Sequence, residues 1–472
     1  MQKVVAVLGG GIGGLSACHH LSKSPNVSKI VLLERSGRCG GWLSSIRRDD
    51  GAVFEQGPRG VRPAGAVGRN TLNMISELGL ESEILPVTKD HVASKNRFLY
   101  VKGQLHKMPS GPGGVVRTIP PFSRPIIQSV LKEILIRKGT KEDESVHAFV
   151  SRRLGSELAN IAIDSLCRGV FAGDSRQLSV RSCFPPLYEA ERSRGSIVLG
   201  MLMGGGPKVV PSDLAKRASK ESWTQWSLKR GMQAFPEALE DTLKRRERVE
   251  LHHHAKVKSL NMNSEGWEKV DFTVILCFFF FVFFLPELAS VLPPAAQPLL
   301  EELRAIALVT VAVVNLEYEG FILPVTGFGH LVPSSEDPGL LGVVYDSVPF
   351  PQHNRSGGLT TRLTVMMGGA WFEQTFGHPD SVTKQTLLDR ATQAVTSHLG
   401  VNSQPVWSYV GLLKNCIPQY HLGHWKRLEK MRQYISNHNL PLTLAGASYD
   451  GVSVNDVIFS GRTAAEGLIG KT

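Results

Sequence analysis

The residues best placed to do chemistry come early in the chain, as Gly9-Gly10-Gly11-Ile12-Gly13-Gly14. In a Gly-x-Gly-x-x-Gly spacing the first glycine permits a tight turn, the second lets backbone approach a pyrophosphate, and the third lets helix pack against strand. The pyrophosphate then lies on the helix N-terminus, where free N–H groups and the helix dipole favour an anion. Glu34 follows twenty residues later, at the end of Lys29-Ile30-Val31-Leu32-Leu33, where a carboxylate meets ribose hydroxyls and repels a 2′-phosphate. These residues read as a dinucleotide site that disfavours NADP.

Glycines work this way only between a strand and a helix, and the flanking residues supply both. Residues 3–8 are an apolar β-rich run, Leu15 to Leu21 has helical spacing, and residues 29–34 form a second apolar run. This is the β-turn-α-β opening of a doubly wound parallel sheet. From Pro109 to about Gly155 the chain changes to proline and glycine punctuation with amphipathic stretches such as 125–137, which marks a helical insertion. There Arg124, Lys132, Arg137 and Lys138 accompany Ile126, Ile127, Leu131, Ile134 and Leu135, a pattern open to two readings: packing on its own lobe, or lying on an anionic membrane. Strands are expected at 308–318, 340–348 and 362–367. The chain then returns through residues 440–446 and 451–467 to a strand, a glycine turn and a closing helix. The class is therefore α/β, with a discontinuous nucleotide fold and other lobes inserted into it.

At 472 residues the chain exceeds one ordinary core, and 20% charged with 42% hydrophobic residues is a globular balance. The net charge of +11 is scattered, without zinc-finger spacing or aromatic-interleaved basic repeats, which argues against nucleic acid. Six cysteines form no Cys-x-x-Cys pair. In His252-His253-His254 adjacent rings alternate faces, so no metal site is expected. The start leaves no room for a cleavable presequence ahead of residue 3.

The segment after Glu34, Arg35-Ser36-Gly37-Arg38-Cys39-Gly40-Gly41-Trp42, resembles the second dinucleotide motif of the flavin-dependent amine oxidase superfamily. Phe54-Glu55-Gln56-Gly57-Pro58-Arg59-Gly60 continues the likeness, and Leu444 to Tyr449 with Gly451 to Asp456 resembles the superfamily's C-terminal flavin motif. The resemblance implies one non-covalent FAD per chain, held by Gly9, Gly10, Gly11, Ile12, Gly13, Gly14, Glu34, Arg35, Arg38, Gly41, Trp42, Gly57, Pro58, Arg59, Gly60, Val257, Val452, Ser453 and Val454.

Residues 96–100, 164–173, 327–333 and 414–420 look like the porphyrinogen-oxidising branch of that superfamily in animals, nearly end to end. This implies oxidation of protoporphyrinogen IX to protoporphyrin IX in haem synthesis, oxygen being reduced to hydrogen peroxide. Hydride would pass from a meso carbon to flavin N5 in three rounds, and no side chain is assigned as a general base. A broad apolar macrocycle with two propionates needs an aliphatic slot and a fixed cation. The likeness supplies Leu166, Leu331, Val344 and Met366 for the slot, Arg97 for a propionate and the Gly169 carbonyl for pyrrole N–H groups, with Arg168 left to hold structure. It also implies a homodimer on the mitochondrial inner membrane, facing the intermembrane space, with hand-over of product to ferrochelatase. The expected lobes are an FAD-binding domain at 3–92, 202–290 and 438–472, a helical membrane-binding domain at 93–201, and a β-rich substrate domain at 291–437.

One stretch departs from the pattern. Phe272 to Leu285, FTVILCFFFFVFFL, replaces a family strand that runs into Ala-x-Pro, with the change beginning at Lys269. It is too short for a bilayer. It reads as a buried strand or as translated intron sequence, in which case the chain is a catalytically impaired isoform. An amine or polyamine oxidase on the same fold is the other enzyme reading.

Overall fold

The computed structural model describes residues 3–203, 209–263, 266–269, 280–282 and 285–470. In chain order the elements that position the site are β1 (Lys3–Leu8), α1 (Ile12–Leu21), β2 (Val27–Leu33), β3 (Phe98–Val101), β4 (Gln104–Lys107), α2 (Ile126–Leu135), α3 (Val146–Leu154) and α4 (Asp164–Phe171). They continue with α5 (Ala234–Lys244), β5 (Val249–His252), β6 (Phe280–Val282), β7 (Leu308–Glu319), β8 (Gly329–Leu331), β9 (Leu340–Val344) and β10 (Thr360–Gly369). The last are α6 (Lys384–Leu399), β11 (Trp407–Pro418), β12 (Leu442–Leu444) and α7 (Val454–Ile469).

Five strands form a parallel sheet in the order β12-β6-β1-β2-β5. Both faces of a parallel sheet are covered, so its strands are apolar throughout rather than alternating. Val5, Val7, Ile30 and Leu32 point into one core with α1 and α7, while Ala6, Leu8, Val31 and Leu33 point into a second on the other side. Helices α1 and α7 approach so closely that a Cβ on Gly461 would stand 2.3 Å from the Gly13 carbonyl. The crowding at the end of the fingerprint is thus helix on helix, not only the helix-on-strand packing expected. Of the Phe-rich run, residues 280–282 are described, and they form the inner strand β6 between β1 and β12. Residues 270–279 and 283–284 of that region lie outside the described residues.

A seven-stranded sheet runs β11-β7-β10-β9-β8-β3-β4. Its pairings are antiparallel except β8 with β3. These pairings correct the expected boundaries. Residues 98–107 belong to this sheet and not to the helical lobe, because β3 pairs with β8. Helix Gln297–Arg304 and helix His424–Asn437 bury Leu299, Leu300, Leu303, Leu428 and Met431 in the second core of the parallel sheet, so the substrate lobe is narrower than 291–437.

The helical lobe is built around α2, α3 and α4. Among the described residues no helix is long and apolar enough to cross a membrane.

Candidate functional site

The first half of the site is the turn between β1 and α1. Gly9 has φ 103° and donates its N–H to Leu33 O at 2.8 Å, a conformation that glycine adopts freely. The Gly10 N–H donates to Glu34 Oε2 at 2.7 Å, and Ser36 donates both N–H and Oγ–H to Oε1 at 2.7 Å. Glu34 is therefore fixed at the end of β2 beside the turn. Gly11, in extended conformation, caps α1 without any side chain, and a Cβ there would meet nothing within 4 Å. Open space thus lies before the first turn of α1, where the N–H groups of Ile12, Gly13 and Gly14 are free to meet an anion.

The following loop closes on this turn, with Gly40 N–H donating to Gly10 O at 2.8 Å. Arg38 donates to the carbonyls of Cys39 (3.1 Å), Leu43 (3.2 Å) and Gly41 (2.8 Å), so much of its guanidinium shapes the loop. Arg35 and Gly41 are exposed, and Trp42 keeps 39% exposure, leaving a ring face for stacking. Gly57 is required by packing: a Cβ would fall 1.9 Å from Trp42 O. Pro58 and Gly60 are half-buried, and Arg59 pairs at 3.0 Å with Asp346 in the turn that follows β9. Val257 packs on the second core, and two residues earlier the Ala255 N–H donates to Glu34 O at 2.8 Å. Ser453 caps α7 by accepting from Asp456 N–H at 3.2 Å, while Val452 packs on the helical lobe and Val454 on the first core. The residues present fit a flavin dinucleotide: an open, donor-lined helix start, a fixed carboxylate and a second capped helix.

The second half is one face of the seven-stranded sheet. Register puts Leu331 opposite Gly342, Val344 opposite Thr364, and Met366 opposite Val313, all on the face away from α6. The other face carries Val314, Leu316, Val343, Val365 and Met367 and is covered by α6. Gly329, Gly342 and Gly411 lie on this face too, which leaves it low between its aliphatic side chains. Helix α4 lies across the Leu331 end: a Cβ on Gly169 would come within 2.9 Å of Leu331, and Leu166 is only half-buried.

Arg97 stands at the start of β3, its guanidinium 5.8 Å from the Phe328 ring centre, with no carboxylate partner among the described residues. Desolvation and the nearby Arg62 both lower its pKa, although its side chain reaches solvent. Arg168 donates to the carbonyls of Val332, Asp337, Pro338 and Leu340, a structural role.

Sequence reasoning missed the polar seam joining the halves. Gln56 donates to Asn315, Asn315 donates to Thr364 Oγ1 at 2.8 Å, and Thr364 donates to Asp346 at 2.6 Å. Phe54 stacks on Trp407 with ring centres 4.2 Å apart. Beside them burial pushes the Glu55 carboxyl up to about 7, against hydrogen bonds from Met232 N–H and Ser45. No local pattern marks the seam, since Gln56 meets Asn315 and Arg59 meets Asp346 across 259 and 287 positions.

A family signature, flavin containing amine oxidoreductase, matches residues 12–278 and 282–469. The chain is 51% identical over 475 residues to a protoporphyrinogen oxidase from Homo sapiens, covering 100% of this chain and 99% of the relative. It is 26% identical over 479 residues to a coproporphyrinogen III oxidase from Bacillus subtilis, covering 98% and 97%. A crystal structure from Exiguobacterium superposes with TM-score 0.77 at 22% identity, over the full length of both chains, and shows the same fold.

Proposed function

Because the chain belongs to the flavin containing amine oxidoreductase family, we propose that it oxidises protoporphyrinogen IX to protoporphyrin IX with molecular oxygen, releasing hydrogen peroxide, on one non-covalently held FAD per chain. The observation that carries this reading is the sheet face on which Leu331, Val344 and Met366 align, with Leu166 and Gly169 of α4 across one end. A broad apolar macrocycle, which becomes planar only as it is oxidised, fits such a slot. The bound flavin supplies the hydride acceptor. The chain itself orients the ring between the sheet and α4, excludes water with aliphatic side chains, and offers the Gly169 carbonyl to a pyrrole N–H. Arg97, a cation without a carboxylate partner among the described residues, holds a propionate. No side chain is given a proton-transfer role.

The helical lobe docks on a membrane surface in this reading. Helix α2 buries Glu133 and exposes Leu131 (59%) and Leu135 (84%), while Arg124, Lys132, Arg137 and Lys138 line its edges. Apolar side chains turned outward beside cations suit an anionic bilayer better than packing on the chain's own lobe. The mitochondrial inner membrane, on its intermembrane-space side, is the location proposed, with a homodimer and hand-over to ferrochelatase.

Porphyrin fluorescence after addition of protoporphyrinogen, corrected for spontaneous oxidation, tests the activity. Arg97→Met is expected to raise KM for the dipropionate substrate at least tenfold while kcat stays within threefold. An unchanged KM would remove Arg97 from substrate binding. Acid precipitation should leave the flavin in solution.

A further inference from the structure

The structure brings Cys39 together with two ligand-type side chains, Glu240 and His253, that lie some 200 positions further along the chain. Cys39 lies in the loop after β2, Glu240 on α5, and His253 just beyond β5. One donor atom from each lies within 4.8 Å of the others. His253 Nε2 and Glu240 Oε1 are 2.9 Å apart. Of the three adjacent histidines, His253 is the one turned to this cluster, while His254 is exposed.

We propose that Cys39 Sγ, the Glu240 carboxylate and the His253 imidazole form a site for a zinc-like divalent ion, with water or the second Glu240 oxygen completing a tetrahedron. Zinc bonds of about 2.0–2.3 Å place neighbouring ligand atoms about 3.3–3.6 Å apart, so the present triangle closes on an ion with shifts of about 1 Å. Thiolate and imidazole select a borderline-soft ion over magnesium or calcium. Charge also balances: a thiolate and a carboxylate neutralise a divalent cation. Lys244, now 2.6 Å from Glu240 Oε1, is half-exposed and free to leave for solvent. On binding, the Cys39 thiol proton passes to solvent as the sulfur–metal bond forms, with no change of oxidation state.

The backbone around the cluster is already tied. Glu34 N–H donates to His252 O at 2.9 Å, His254 N–H to Ser36 O at 3.0 Å, and Gly40 N–H to Gly10 O at 2.8 Å. Cys39 Sγ lies directly behind the fingerprint, 2.6 Å from where a Cβ on Gly10 would be. An ion here would clip the loop at 35–42 to α5 and β5, stiffening the wall of the cofactor turn. Coupling between two ligands is reciprocal, so zinc and flavin should each tighten the other.

The test uses flavin-loaded protein, freed of affinity tag and stripped with chelator, then titrated with zinc chloride by calorimetry. About one zinc per chain is expected, with affinity at least tenfold weaker in Cys39→Ser and in His253→Gln and unchanged in His254→Ala. Cobalt in place of zinc should give a thiolate-to-metal charge-transfer band that Cys39→Ser abolishes. Should Cys39→Ser fail to hold flavin, His253→Gln, away from the glycine turn, decides alone. No saturable zinc binding, wild-type affinity in His253→Gln, or a cobalt spectrum without a thiolate band would each overturn the site. Zinc should also raise the temperature of flavin release in the parent chain and not in His253→Gln, and an equal rise in both would refute the clip.

Discussion

The parallel-sheet lobe and the helical lobe solve burial in opposite ways. Around β1, β2, α1 and α7 the interior is aliphatic, with Val5, Val7, Leu15, Ile30, Leu32 and Ile458 almost wholly enclosed. In the helical lobe, Arg153, Glu133 and Glu191 are inside and Leu131, Leu135 and Met201 are outside. Arg153 pairs with Glu133 and donates to Ile136 O and Gly195 O at 2.8 Å; Glu133 also accepts from Ser196 Oγ at 2.6 Å and Ile197 N–H at 2.8 Å. An interior of this kind is held by its ion pairs and hydrogen bonds, and removing one partner strands a charge. The sheet lobe is organised to hold a shape, and the helical lobe to present an apolar outer surface.

Four tests would break or sharpen this contrast. The largest effect is expected from Phe281→Pro, which removes a ladder N–H from an inner strand paired on both sides, to Val7 and Thr443. Soluble, flavin-loaded protein should be lost, and its recovery in normal yield would deny β6 its place. Next, Arg153→Met should cost about 3–5 kcal/mol by leaving Glu133 buried and unpaired. Adding Glu133→Leu should restore most of that stability, as measured by thermal melts. A single variant that melts like the parent would show that this lobe does not depend on its ions.

A smaller change tests the seam between the sheets. The Glu55 carboxyl lies near 7 in the folded chain against a usual 4.5. A carboxyl raised in this way favours the folded state below 4.5 and loses that advantage as pH rises through about 7. Glu55→Gln should therefore be relatively more stable than the parent at pH 8 than at pH 5, by up to about 3 kcal/mol. Equal pH profiles would contradict the shift. The smallest effect on folding is expected from Leu131→Asp with Leu135→Asp, within about 0.5 kcal/mol because both side chains are already in solvent. The same pair should abolish sedimentation with cardiolipin-containing vesicles, whereas Leu15→Asp in α1 should prevent folding.

What could be read from the sequence follows how local each signal is. The fingerprint and Glu34 belong to one strand-turn-helix-strand unit, with Gly10 and Glu34 only 24 positions apart, so spacing reveals them, whereas Ser453 was assigned through resemblance. The lobe boundaries do not: β3 joins the larger sheet through β8, more than 200 residues away, and helix Gln297–Arg304 settles under the parallel sheet. Residues 331, 344 and 366 were assigned through resemblance, and only strand register puts them on one face. The amphipathic pattern of α2 was visible, but its direction was not, because periodicity cannot say whether the apolar or the polar face turns inward.

The chain of contacts from Arg59 and Gln56 to Asp346, Thr364 and Asn315 has a kinetic meaning. Two walls bolted together by buried polar side chains cannot swing apart each cycle without exposing unpaired charge. On the proposed reading, a macrocycle would therefore enter by a route that leaves both walls standing, on the side of α4.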